Sequence, residues 1–353
     1  MIDSKKLKEI ENEKINLITL VLLTLFTAGS LFAGGGSRNG TAGASQLLVP
    51  VGARGVSMAG ATLVDATGVE SLYWNPANLA RGEYNTYALF SHMNYFADIN
   101  VEYGAVSTNI EGLGALAFSI KSIAVGDIPV TTVQNPDGTG QTFSPSFITI
   151  GMTYARMLSD RISVGLTTNI VSEKIDLVSA TGIAFNLGIS YQNLGNIDGL
   201  SFAVVLKNLG PQMDYDGSGL NVKAISTDLS RPTQYYKIDA ASFELPSTLE
   251  LALGYNYQFN ETNSLIVNGV FQNSNFYGDE YRFGAEYAYN DLFFIRGGYM
   301  FMPELDSDSN TFGLSAGFGI NYNLGGLGLK LDYAFRQMKF FNDNHVFTVT
   351  LGL

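Results

Sequence analysis

Fourteen segments of about ten residues carry large apolar side chains at every second position, and no other feature of the chain limits its fold as strongly. Side chains alternate across a strand, so each segment has one apolar face and one small or polar face. Leu249, Leu251, Leu253, Tyr255, Tyr257 and Phe259 alternate with Thr248, Glu250, Ala252, Gly254, Asn256 and Gln258. Phe312, Leu314, Ala316, Phe318, Ile320 and Tyr322 alternate with Thr311, Gly313, Ser315, Gly317, Gly319 and Asn321. The segments are 84–95, 101–109, 113–122, 146–157, 161–174, 182–192, 199–209, 246–259, 264–273, 280–290, 292–301, 311–322, 327–337 and 345–353. An even count suits a closed antiparallel barrel, and ten tilted residues cross an outer-membrane apolar band of about 25 Å.

The connections alternate too. Those after even-numbered segments are short, whereas 123–145, 210–245 and 302–310 follow odd-numbered ones. Short turns on one side and long loops on the other are the pattern of outer-membrane barrels, with the short side and both mature ends in the periplasm. Aromatic residues gather near both ends of the segments: Tyr191, Tyr257, Phe259, Tyr287, Tyr289 and Tyr322 on the short-turn side, Tyr95, Phe271, Phe301 and Phe335 opposite. Two such girdles fit the two membrane interfaces.

Composition supports a membrane setting. The 353 residues are 46% hydrophobic but 15% charged, where a soluble domain carries about 25% charge. The rows between the apolar ones hold Gly, Ser, Thr, Ala and Asn with scattered charges. In a water-soluble sandwich those rows would face solvent and be rich in charge; here they suit a lumen. Charge facing lipid costs about 2–4 kcal/mol at the midplane. Most of Lys121, Arg156, Glu173, Lys174, Glu250, Arg282, Glu286, Arg296, Lys330, Asp332 and Arg336 are therefore expected to face the lumen. A net charge of −12 argues against a nucleic-acid partner. With no Cys and two His, no thiolate, disulfide or multi-histidine chemistry is expected.

Two segments precede the repeat. Lys5, Lys6, Lys8 and Lys14, an apolar run from Ile15 to Phe26, and Ala28-Gly29-Ser30-Leu31-Phe32-Ala33 make residues 1–33 a cleaved signal peptide. Residues 34–83 lack alternation and are rich in small residues, which suits a hatch inside the barrel formed by 84–353. The hatch contains Gly52-Ala53-Arg54-Gly55-Val56-Ser57-Met58-Ala59-Gly60-Ala61 and, further on, Tyr73-Trp74-Asn75-Pro76-Ala77-Asn78. Over residues 44–80 this pair of motifs resembles the N-terminal signature of the PorV/PorQ family of outer-membrane proteins, which is similar to the FadL-type channels. The resemblance implies an all-β, FadL-like transmembrane barrel of fourteen strands with an N-terminal hatch, in the bacterial outer membrane. Gly52, Ala53, Arg54, Gly55, Met58, Ala59, Gly60, Tyr73, Trp74, Asn75, Pro76 and Ala77 are the hatch residues it marks.

Little points to catalysis. Gly313-Leu314-Ser315-Ala316-Gly317 matches a nucleophile pattern, but that pattern needs a sharp strand-to-helix turn and here lies within a strand. Asp306-Ser307-Asp308-Ser309-Asn310 begins like a calcium loop, but Thr311 stands where Gly is required. His92 and His345 lie on the first and last strands, which closure makes neighbours. No catalytic residue, cofactor or metal ligand is assigned, and an enzyme is not expected.

Two functions remain. PorV-like members act with type IX secretion, which implies partners among its components and the C-terminal signal domains of secreted proteins. Tyr235, Tyr236, Phe243, Phe340 and Phe341 are candidate contacts on the outer loops. The alternative is a passive, FadL-like transporter of hydrophobic small molecules such as long-chain fatty acids. It requires an apolar pocket and a side opening in the wall, for which Pro129 and Pro145 are candidate flanks. Outer-membrane lipid surrounds the barrel in either case.

Overall fold

The structure, a computed structural model, describes residues 43–225, 232–303 and 310–353. The leader, residues 34–42 and Asp306 to Ser309 of the acidic loop lie outside them. Fourteen long antiparallel strands close into a barrel: β1 (Thr86–Asn94), β2 (Asn100–Ile110), β3 (Gly114–Ala124), β4 (Ser146–Met157), β5 (Ile162–Ile175), β6 (Val178–Tyr191), β7 (Leu200–Leu209), β8 (Thr248–Asn260), β9 (Asn263–Ser274), β10 (Glu280–Tyr289), β11 (Phe293–Phe301), β12 (Phe312–Leu324), β13 (Leu327–Met338) and β14 (Asn344–Gly352). Each strand pairs with its neighbours in sequence. Closure comes from β1 on β14, with Tyr87 opposite Gly352 and Asn94 opposite His345.

The apolar rows point outward. Phe90, Met152, Ile170, Ile189, Ile295, Phe318 and Phe347 are exposed, while Ser91, Thr153, Asn169, Ser190, Arg296 and Thr348 beside them are buried. This inverts a soluble protein and is what hydrocarbon requires: the backbone is paired strand to strand around the wall, and the outer surface is apolar. Of the strand charges, Lys121, Glu173, Glu250, Arg282, Glu286, Arg296, Lys330, Asp332 and Arg336 are buried or largely so. Arg156 and Lys174 are exposed, near opposite ends of their strands, where a long side chain reaches the interface.

Local structure departs from strict alternation in three places. β6 begins at Val178, four residues before its apolar alternation, because β5 pairs with it down to Ile175–Val178. Asp176, at positive φ, helps turn the chain between them. In β12 a register shift between Phe312 and Ser315 moves Phe312 out of the apolar outer row; it faces Arg336 inside instead. Bulges re-aim side chains in this way. Tyr95 likewise lines the interior rather than the lipid girdle.

The third departure is a seam. β6 pairs with β7 only from Phe185 to Tyr191, with a register shift after Phe185. At the start of β6, a strap from the 210–245 connection pairs in place of β7. Asp216 and Gly217 pair with Ser179 and Val178, and Met213 bridges to Phe243. By contrast, the β3–β4 ladder is continuous from Ala115–Ala155 to Ala124–Ser146. Pro129 and Pro145 therefore flank no break in the wall; Pro129 pairs with Thr142 in a small outer hairpin.

Candidate functional site

Residues 43–85 fold as short turns packed against the inner wall: 3-10 turns at Ser45–Leu48, Gly68–Ser71 and Pro76–Arg81, and one helix, α1 (Ala53–Ser57). The two halves of the hatch motif meet. A Cβ on Gly55 would lie 2.5 Å from Cζ2 of Trp74, so only glycine lets the indole seat there. Gly60, at φ +84°, donates its N–H to Gly55 O (2.8 Å) and ends the helix. Met58 and Ala53 are fully buried. Asn75 Oδ1 accepts from Ala77 N (3.1 Å), capping the Pro76 turn, while its Nδ2 donates to Leu63 O (2.8 Å). Gly52 and Ala59 adopt positive φ at the two ends of α1.

Glycines of the wall are where the hatch docks. Side chains at Gly284, Gly298 and Gly317 would meet Met58 O, Ala59 N and Ser57 Cβ at 2.8, 2.6 and 2.5 Å. Gly165 and Gly188 receive the Asn75-Pro76 turn in the same way.

Charge fixes the hatch further. Arg54 donates to both oxygens of Glu286 on β10 (2.9 and 3.0 Å) and pairs with Asp65. Glu286 also receives Arg296 of β11, which reaches Asp332 of β13 at 2.6 Å. Lys330 bonds Glu70 at 2.7 Å. Burial pushes the Glu70 carboxyl up, but the Lys330 ammonium and the Arg54 guanidinium outweigh it and hold the group below its ordinary range. Asn268 Nδ2 donates to Ala61 O (2.7 Å) and Asp65 Oδ1 (2.6 Å).

The docked hatch divides the lumen. Toward the short-turn rim lies a polar cavity of about 310 Å³ bordered by Glu70, Tyr84, Tyr87, Glu286 and Lys330. Toward the long-loop rim lies a larger cavity of about 440 Å³. Its walls are mostly apolar: Leu47, Val49, Trp74, Tyr95, Phe96, Met300, Met302 and Phe312. Its charges are Lys207, Glu250, Glu280, Arg282 and Arg336. Lys207 pairs with Glu250 (3.1 Å) and Arg282 with Glu280 (2.7 Å). Arg336 differs. It donates to Asn344 Oδ1 (3.0 and 2.7 Å) and lies 4.1 Å from the Phe312 ring centre, with no carboxylate within 4 Å among the described residues.

The seam adjoins this cavity through Leu47. Behind the strap, Ala44, Leu47, Val171, Ala180, Ala184, Met213 and Leu245 form one apolar cluster. The strap is held by Tyr215 donating to the buried Glu173 and by Gly43 N donating to Glu244 O (3.3 Å).

The predicted loop contacts divide. Tyr235, Tyr236 and Phe340 are exposed. Phe243 is not free for a partner: it covers Gly43 and packs on Tyr215, because the connection folds back onto the wall. Phe341 is exposed but stacks on Phe96, with 4.7 Å between ring centres. Ser315 is buried with no hydrogen-bond partner among the described residues, and both histidines are bonded elsewhere: His92 to Glu102 (2.6 Å) and His345 to Tyr333 (2.8 Å). Among the described residues no His, Asp and Glu side chains converge as a metal would need. The inward turn of Phe312, the unpaired Arg336 and the seam carry no signal in the local sequence.

No family model matches the chain, and no curated protein matches it by sequence. Solved structures do match its fold. The CymD monoaromatic hydrocarbon channel is 14% identical, with a TM-score of 0.52, over 86% of this chain and 97% of that one. The Pseudomonas putida toluene transporter TodX is 12% identical, with a TM-score of 0.53, over 84% and 96%. A TodX deltaS2S3 mutant channel is 14% identical, with a TM-score of 0.56, over 85% and 97%. The chain thus shares the barrel fold of these channels.

Proposed function

We propose that this protein is a passive outer-membrane channel for hydrophobic small molecules, with residues 1–33 a cleaved leader, 34–83 the hatch and 84–353 the wall. The observation that carries the proposal is the 440 Å³ cavity, whose aromatic and methionine walls enclose a single unpaired guanidinium, that of Arg336. Pockets of this size and lining hold small apolar ligands. An uncompensated buried cation favours an anionic head on the ligand, since a buried charge is costly without a partner. A fatty acid or aromatic acid meets both demands. The hatch blocks the axial path, and the seam beside Leu47 offers the side exit, because there the β6–β7 ladder is missing and the wall is closed by the strap, with two backbone pairs to β6 and the apolar packing behind it. Likeness to hydrocarbon channels supports transport. The secretion reading draws no such support, and one of its five loop aromatics, Phe243, is committed to packing on Gly43 and Tyr215.

Trp74 is the sole tryptophan and borders the cavity, so its fluorescence reports binding directly. Titrating the detergent-solubilised protein with a fatty acid should quench it. Arg336→Met should weaken the acid about 10- to 100-fold, the range of a charge-assisted hydrogen bond, and leave a neutral alkylbenzene nearly unchanged. Absence of quenching by any apolar ligand would refute the proposal.

A further inference from the structure

We infer that a second, smaller pocket between the hatch and the β3–β7 wall, bordered by Lys121, binds a monovalent anion of chloride size. Lys121 is 5% exposed. Its ammonium donates to Val49 O of the hatch (3.0 Å) and lies 4.8 Å from the centre of the Tyr73 ring. No carboxylate lies within 4 Å of it among the described residues. The ammonium of Lys207 sits 5.0 Å from the centre of the same ring, and it is already paired with Glu250. Two cations therefore share one buried ring with a single counter-charge between them.

The pocket supplies space and donors for the missing charge. Its volume is about 40 Å³. A water needs at least about 10–15 Å³ on this measure, so the pocket admits a halide with a water beside it. Ser119, Thr149, Asn169 and Asn186 border it with the two lysines, each bearing an O–H or N–H donor. The Thr149 hydroxyl is buried and has no hydrogen-bond partner among the described residues. Tyr73, Leu47 and Lys207 border both this pocket and the large cavity and stand between them, so a long apolar ligand does not compete for the place. Through Val49 O and Tyr73, the anion would help hold the hatch against the wall, whichever ligand the larger cavity takes.

Crystals of the full mature protein grown in sodium bromide should show an anomalous peak beside Lys121 Nζ, absent in Lys121→Met. In detergent at constant ionic strength, replacing gluconate by chloride should raise the thermal midpoint of the wild type by about 2 °C, and that of Lys121→Met by none. Should Lys121→Met fail to fold, Thr149→Val, which keeps the cation and removes one donor, should shift the chloride midpoint several-fold. No bromide beside Lys121 in the wild type, or an equal chloride response in wild type and variant, overturns the assignment.

Discussion

Gly298 shows how much a single position on the inner row decides. Its parity places it facing the lumen, where a small residue looks like a lining of open space. In the fold it is a seat: Ala59 N would lie 2.6 Å from a Cβ built there, and Met58 packs beside it. Gly298→Val should expel this part of the hatch while sparing the wall, since the outward row is untouched; overpacking of this kind costs about 1–3 kcal/mol. In planar bilayers the variant should conduct ions in long-lived steps where the parent is silent, and a silent variant that remains folded would show that the hatch is not the barrier. Phe312 teaches the opposite lesson. Its alternation puts it in lipid, but a bulge turns it onto Arg336. Alternation predicts a face only while the register holds.

At the scale of elements, the strands were legible because lipid on one side and a packed lumen on the other impose a period of two on every one of them. The seam was not. A ladder between β6 and β7 is a choice between two partners for β6, its sequence neighbour or the strap, and both present the same backbone groups. The strap is the movable alternative if the side exit is used. Gly182 and Met213 touch across it, the Gly182 Cβ position lying 2.5 Å from Met213 Cγ. In a chain without cysteine, a Gly182→Cys, Met213→Cys pair can be oxidised selectively. The oxidised protein should bind a fatty acid as the parent does yet deliver it to liposomes at least about tenfold more slowly, a barrier increase of about 1.4 kcal/mol, with full recovery on reduction. Equal delivery rates before and after oxidation would place the exit elsewhere.

For the whole molecule, hatch and wall share an apolar core, in which Val56, Val69 and Leu72 pack with Leu89, Val101 and Val346, and they are joined by charges as well: Arg54, Asp65 and Glu70 on one side, Glu286, Arg296, Lys330 and Asp332 on the other. This gives stability a defined pH dependence. Lys330 and Arg54 hold Glu70 below its ordinary pKa despite burial. A depressed folded-state value means the stabilisation is complete above the unfolded value, about 4.3, and is lost as pH falls through the folded one. The stabilisation contributed by Glu70 should therefore stay level from neutral pH to about 5 and be lost below about 4. Glu70→Gln should lower the midpoint at neutral pH and flatten the acid decline; an unaltered acid limb would remove Glu70 from the network.

The sequence by itself determined the barrel, its fourteen strands, the outward aim of the apolar rows and the presence of a hatch, because each follows from a local period or a contiguous motif that solvent and lipid enforce strand by strand. Which carboxylate meets Arg54, which cation stays unpaired and where the wall ladder gives way were decided only in the closed structure. Those contacts join residues such as Arg54 and Glu286, or Lys121 and Val49, that lie far apart in the chain, and only barrel closure around the hatch brings them within bonding distance.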